Sequence, residues 1–195
     1  MTPSTLLALL ATLPLALAAP TTSCPAPTAP TLPTSPNFRL IANITCEDLT
    51  PSLQNWPLTS YHTGAGTALA VLTPPTANAT GRAFYLSGTV SDIQASNASV
   101  LSDGGTPPFP YGLVVPAASA SGAQRAVQIN AGDGTPGVNF SHSPPTSPFL
   151  TYDAAGAWYA CNATLPYGPA VVLYYRSAGE GKPAGCAGVM LLPEW

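Results

Sequence analysis

The chain has 195 residues, 24 of them Pro and 17 Gly, with only 7% charged and a formal net charge of −3. One Lys (Lys182) and four Arg (Arg39, Arg82, Arg125, Arg176) form no basic patch to neutralise phosphates, which argues against nucleic acid and anionic membrane as partners. A surface so poor in charge needs another source of solubility, and attached glycans are the available one.

In chain order, residues 6–17 form an apolar run that ends in Ala16-Leu17-Ala18, a small-residue cleavage site, so residues 1–18 read as a signal peptide, although the first residues lack Lys and Arg. The run is too short to span a bilayer. Residues 19–36 alternate Pro with Thr, Ser and Ala and read as a disordered, extended linker, too proline-rich to join a sheet. Removal of the signal leaves about 177 residues, enough for one core that buries roughly 70% of the unfolded chain's surface. Residues 37–195 are therefore read as a single domain.

From Asn37 the pattern changes to short β-type runs. Phe38, Leu40, Ala42 and Ile44 alternate with Arg39, Ile41, Asn43 and Thr45, as a strand with one core face requires. Further runs fall at residues 58–62, 68–73, 82–87, 111–115, 125–130, 157–160, 170–176 and 188–192, with turn residues between them. This spacing predicts an all-β fold, a single antiparallel β-sandwich or barrel-like domain. The last two runs are expected to form a hairpin across residues 179–183. Helix is expected to be nearly absent, with one turn at most within residues 47–55, limited by Pro51.

Five Asn-X-Ser/Thr sequons, at Asn43, Asn78, Asn97, Asn139 and Asn162, join the signal peptide in placing the chain outside the cell. Asn162 is the least favourable acceptor, because it adjoins Cys161. Four cysteines in an oxidising compartment read as two disulfides. Of the three connectivities, Cys24–Cys46 with Cys161–Cys186 is favoured, since each pair is near in sequence and flanks adjoining strands. A zinc site is the weaker reading: no C-x-x-C occurs, and His62 and His142 have no ligand spacing to a Cys.

Chemistry-bearing patterns are few. Gly132-Asp133-Gly134-Thr135-Pro136-Gly137 matches G-x-G-x-x-G, but Pro136-Gly137 gives no helix start, so a turn is expected and no cofactor. With G-x-S-x-G missing, His62 and His142 are weak candidates for a hydrolase base. Asp92, Asp103, Asp133 and Asp153 are the candidate glycosidase carboxylates, yet turn chemistry explains each alone. A copper site built on an N-terminal His fails, since cleavage after Ala18 leaves Ala19 first. Trp56, Trp158, Tyr61, Tyr111, Tyr152, Tyr159 and Tyr167 could stack on sugar rings if they share a face, but aromatic residues on strands are expected mostly to fill the core, with Trp158 near the Cys161 disulfide. Tyr61, His62 and Tyr111 are the candidate ligand-binding residues, Tyr111 being the one expected to be exposed.

Residues 38–43 (Phe-Arg-Leu-Ile-Ala-Asn), 60–66 (Ser-Tyr-His-Thr-Gly-Ala-Gly), 81–86 (Gly-Arg-Ala-Phe-Tyr-Leu) and 158–161 (Trp-Tyr-Ala-Cys), followed by Cys186, occur in an order that resembles small secreted proteins of filamentous ascomycete fungi. Those proteins carry a domain of unknown function and are sometimes labelled cell-wall or IgE-binding proteins by similarity. The resemblance covers the chain from about Asn37 and implies secretion and wall association. It supplies no catalytic residues. The resulting expectation is a secreted, non-enzymatic glycoprotein associated with the cell wall, with cell-wall polysaccharide as its partner. A lectin-like carbohydrate-binding module is the alternative, and a glycoside hydrolase the third reading.

Overall fold

The computed structural model describes residues 36–76, 80–118, 124–141, 148–153 and 156–195. The expected signal peptide, the linker up to residue 35, Cys24, Asn78 and His142 lie outside them.

The elements are β1 (Arg39–Cys46), β2 (Leu58–Gly64), β3 (Thr67–Leu72), β4 (Tyr85–Ser87), α1 (Val90–Gln94), β5 (Ser99–Gly104), β6 (Phe109–Val114), β7 (Arg125–Ala126), β8 (Gln128–Ala131), β9 (Asn139–Phe140), β10 (Leu150–Thr151), β11 (Ala157–Leu165), β12 (Gly168–Arg176) and β13 (Cys186–Glu194). Eleven strands form one antiparallel sheet in the order β1-β13-β11-β12-β3-β8-β6-β5-β4, with β2 on β3 and β7 on β12, while β9 and β10 pair separately. The expected all-β antiparallel domain is what forms, and the barrel-like form is the nearer description. The large sheet curls into a half-barrel. Phe38 and Phe84 exchange backbone hydrogen bonds of 2.9 and 2.8 Å, stitching the β1 edge to the residue just before β4. Closing the curl this way removes part of the exposed edge that an open sheet would present.

Period-two alternation decides which side chains enter the curl. Leu40 and Ala42 of β1, Leu58 of β2, Ala70 and Leu72 of β3, Ile129 of β8, Leu173 of β12 and Leu191 of β13 are buried in one continuous cluster. Each large side chain there contributes about 1.5–3 kcal/mol relative to exposure. The Trp158 ring enters from β11 and donates from Nε1 to the Leu150 carbonyl at 2.7 Å, tying the β9–β10 pair onto the sheet.

On the opposite face of β11, Tyr159 and Cys161 pack with Cys186 and Tyr174. Trp158 therefore points away from the disulfide, contrary to expectation: it and Cys161 are three residues apart on a strand and face opposite sides. The expected hairpin between the last two runs does not form either. β12 pairs with β11 from Ala157↔Arg176 to Leu165↔Gly168, and β13 pairs with the other edge of β11 from Trp158↔Val189 to Cys161↔Cys186. Both are antiparallel to β11, so they run parallel to one another, and a short turn cannot join parallel strands. The tight hairpin is β11–β12, closed by Pro166 and Tyr167. Residues 47–55 form no helix; the helical turn is α1, whose N-terminus carries a capping box between Thr89 and Asp92.

Candidate functional site

The apolar cluster fills the curl only in part. Beyond it, on the same concave side, alternation along β2 places Ser60 and His62 after Leu58, and β6 places Tyr111 before Leu113. Arg82 comes in from the segment that leads to β4. These residues line a cleft of about 230 Å³ together with Gly66, Thr67, Ala68, Gly104, Gly105 and Ile129. The β2–β3 turn and the β5–β6 loop form its rim, and the mouths of β-barrels are among the preferred places for ligand sites.

Arg82 is the centre of this cleft. Its Nε donates to Ser102 Oγ at 2.5 Å, its Nη1 to Ser60 Oγ at 3.0 Å and its Nη2 to the Asp103 carbonyl at a long 3.4 Å. Its guanidinium carbon lies 5.3 Å from the centre of the Tyr111 ring, a cation–π contact. Gly104 makes this approach possible, because a Cβ there would stand 2.8 Å from Nη2 and 3.1 Å from the Tyr111 ring. Burial pushes Arg82 below the ordinary arginine range, while Tyr111 and Asp103 act in the opposite direction. It remains a cation at any physiological pH.

Among the described residues the ion pairs are Arg39–Glu194, Arg125–Glu180 and Lys182–Glu47, so Arg82 is a half-buried cation with no carboxylate in ion-pair contact. The His62 ring is exposed, and the described residues offer hydrogen bonds neither to it nor to the Tyr111 hydroxyl. The cleft thus presents an aromatic face, a fixed guanidinium and two uncommitted polar groups.

Of the three candidate ligand-binding residues, the structure brings His62 and Tyr111 together and leaves Tyr61 out. Tyr61 projects from the convex face, where its hydroxyl accepts from the Tyr167 backbone N–H at 2.5 Å and the two rings lie 5.9 Å apart. Tyr111 is half-buried against Arg82 rather than exposed; the exposed ring of its strand is Phe109, at 53%. Arg82 was missed by sequence reasoning. The available signal was an Arg at the head of the alternating run Arg82, Phe84, Leu86 in a chain with so few cations.

The candidate carboxylates hold structural positions. Asp92 closes the capping box, and its bonds from Thr89 hold its carboxyl below the usual range. Asp103 accepts from the Tyr85 hydroxyl at 3.0 Å, and Asp153 N–H donates to the Tyr175 hydroxyl at 3.3 Å. Asp133 is exposed in a loop whose glycines, Gly132, Gly134 and Gly137, have positive φ, and this places the G-x-G-x-x-G match in a turn, as expected. Gly134 packs so closely on Gly112 that a Cβ on Gly112 would meet its nitrogen. Among the described residues no three His, Cys, Asp or Glu gather to hold a metal ion.

Cys161 and Cys186 are disulfide-bonded, as the spacing suggested. Cys46 is exposed and bonds to no described cysteine; Cys24 lies outside the described residues. Of the sequons, Asn97 and Asn162 are exposed, Asn43 is half-buried, and Asn139 is 1% exposed. The Asn139 side chain spans two elements: Nδ2 donates to the Ile93 carbonyl at 2.9 Å and Oδ1 accepts from Phe140 N–H at 2.8 Å.

Residues 35–195 match a domain of unknown function, DUF7907. The chain belongs to the DUF7907 family. A relative of this DUF7907 protein is the antigenic protein SchS34 of Stachybotrys chartarum, 33% identical over 173 residues that cover 82% of this chain and 75% of that protein. No solved structure matches the chain. The resemblance to fungal proteins with a domain of unknown function is borne out at that level by the family and by this fungal relative.

Proposed function

We propose that this chain is a secreted, N-glycosylated, non-enzymatic fungal domain that associates with the cell wall by holding a saccharide unit in the mouth of the half-barrel. The observation that carries the reading is the Tyr111 ring, braced by Arg82 and standing beside His62 and Ser60 at the open end of the curl. An aromatic face with a few convergent polar groups is the usual equipment of a sugar site, since the ring covers the apolar face of a pyranose while the polar groups meet its hydroxyls. At about 230 Å³ the cleft suits one sugar ring, such as a chain end or branch, rather than a long stretch of polymer. The fungal relative's designation as an antigenic protein supports an extracellular setting. Secretion itself is supported by the apolar N-terminal run, the sequons and the disulfide.

The test is a pull-down on insoluble chitin and β-glucan, run beside an assay for reducing-sugar release. Retention that is lost on Tyr111→Ala, with the circular dichroism spectrum unchanged and no sugar released, is the expected result. Retention that survives the substitution would remove the cleft from the reading. Sugar release that disappears on Asp103→Asn or Asp133→Asn would replace it with a glycosidase.

A further inference from the structure

We propose that the sugar unit taken by the cleft is an acidic one, with its carboxylate received by Arg82 and its ring laid against Tyr111; this rests on the saccharide-binding reading above. The guanidinium carries five N–H groups. One is spent on Ser102, one on Ser60, and one makes the long contact with the Asp103 carbonyl. Among the described residues, one N–H on each terminal nitrogen therefore remains uncommitted, and a pair of such donors is what a carboxylate accepts in bidentate fashion.

The three acceptors that hold Arg82 are a pair of hydroxyls and a carbonyl, so they fix the plane of the fork without cancelling its charge. This is the opposite of Arg125, which is equally restrained but bonded to Glu180 at 2.7 Å. Arg82 is half-buried, and the nearby Asp103 charge, which makes no ion pair with it, does not outweigh the desolvation of the guanidinium, a cost that a bound anion would offset. The charge is also well placed against the rest of the cleft. Tyr111 stacks on the guanidinium, and His62 lines the same cleft as a free polar group for sugar hydroxyls. A net charge of −3 offers no long-range attraction for an anion, so recognition falls to this local fork.

The experiment is isothermal titration of the full secreted chain with glucuronate and galacturonate, with glucose and galactose as neutral counterparts, and with acetate and inorganic phosphate as bare anions. Uronates are expected to bind about tenfold or more tightly than the neutral sugars, the gain of a charge-assisted pair. Arg82→Gln should bring uronate affinity down to that of the neutral sugars for the same variant, and Arg82→Lys, which keeps the charge but loses the fork, should reduce the preference. If Arg82→Gln fails to fold, as judged by its thermal melt, the reduction in Arg82→Lys decides.

Neutral sugars bound as tightly as uronates would overturn the inference and leave the saccharide site standing. Acetate or phosphate bound as tightly as uronate would overturn it as well, because the sugar would then add nothing. Failure of every sugar to bind would bring down the site and the inference together.

Discussion

Asn139 offers the sharpest mutational test of the fold, because sequence and structure assign it opposite roles. As the first residue of Asn139-Phe140-Ser141 it is a sequon; as a side chain 1% exposed it is a two-sided clamp between α1 and the β9–β10 pair. Asn139→Ala would remove both hydrogen bonds; the Ile93 carbonyl keeps the Ser96 N–H at 3.2 Å, while the Phe140 N–H loses its side-chain acceptor. One lost bond plus one buried N–H left unsatisfied cost about 2–4 kcal/mol together. With a urea m-value of about 2 kcal/mol/M, the unfolding midpoint should fall by roughly 1–2 M. Tryptophan fluorescence is the suitable probe, since Trp158 is bonded to β10 through the Leu150 carbonyl. The same burial leaves no room for a glycan. Peptide mapping of the secreted protein should therefore find Asn139 unmodified and Asn97 and Asn162 occupied. A midpoint shift below about 0.3 M, or a glycan on Asn139 in natively folded protein, would refute the clamp.

Removing the disulfide by Cys161→Ala with Cys186→Ala should destabilise by about 3.5 kcal/mol on the chain-entropy model, because the bridge spans 25 residues, and denaturant titration measures the loss. Gly112→Ala should destabilise by about 1–3 kcal/mol, since its Cβ would collide with the Gly134 backbone, whereas Gly104→Ala should weaken ligand binding at nearly unchanged stability by displacing the free ends of Arg82 and Tyr111. Glu180 accepts from Ser177 N–H and from Arg125, and both bonds hold its carboxyl below the ordinary value of 4.5. A depressed folded value means that its contribution is complete above the unfolded value and is lost as pH falls through the lower folded value. The amide protection factors of residues 177–182, taken relative to the unfolded exchange rate at each pH, should therefore fall below about pH 4.5, and protection that persists to about pH 2 would contradict the assignment.

Much of the sheet was legible because alternation is a local signal. Phe38, Leu40 and Ala42 could be placed in the core from their spacing alone, and Trp56 from its being a large aromatic. What escaped was set by long-range pairing. β5 reads Ser-Val-Leu-Ser-Asp-Gly, which passes for a loop until β4 and β6 flank it. The relation of β12 to β13 depended on β11 being inserted between them, which no feature of the 177–185 segment encodes. α1 carried a readable signal in Thr89-x-x-Asp92, the capping-box pattern, but five residues give no periodicity to confirm it. In the cleft, His62 and Tyr111 were singled out as a polar and an aromatic residue beside glycines, although Tyr111 was expected to be exposed and is half-buried. Tyr61 was grouped with them by adjacency, although neighbours on a strand face opposite sides. Arg82 became visible only once the curl had brought Ser60, Ser102 and Tyr111 around it.

The most direct test of the cleft as a binding site is a titration of ¹⁵N-labelled protein with short uronate-bearing and neutral oligosaccharides, followed by ¹H–¹⁵N correlation spectra. The expected shifts are centred on the amides of Ser60, His62, Gly66, Arg82, Gly104, Gly105 and Tyr111, with the Tyr167 amide signal unmoved. Spectra that do not change at millimolar ligand, or changes that cluster on the convex face around Tyr167, would contradict a ligand site in the mouth of the half-barrel.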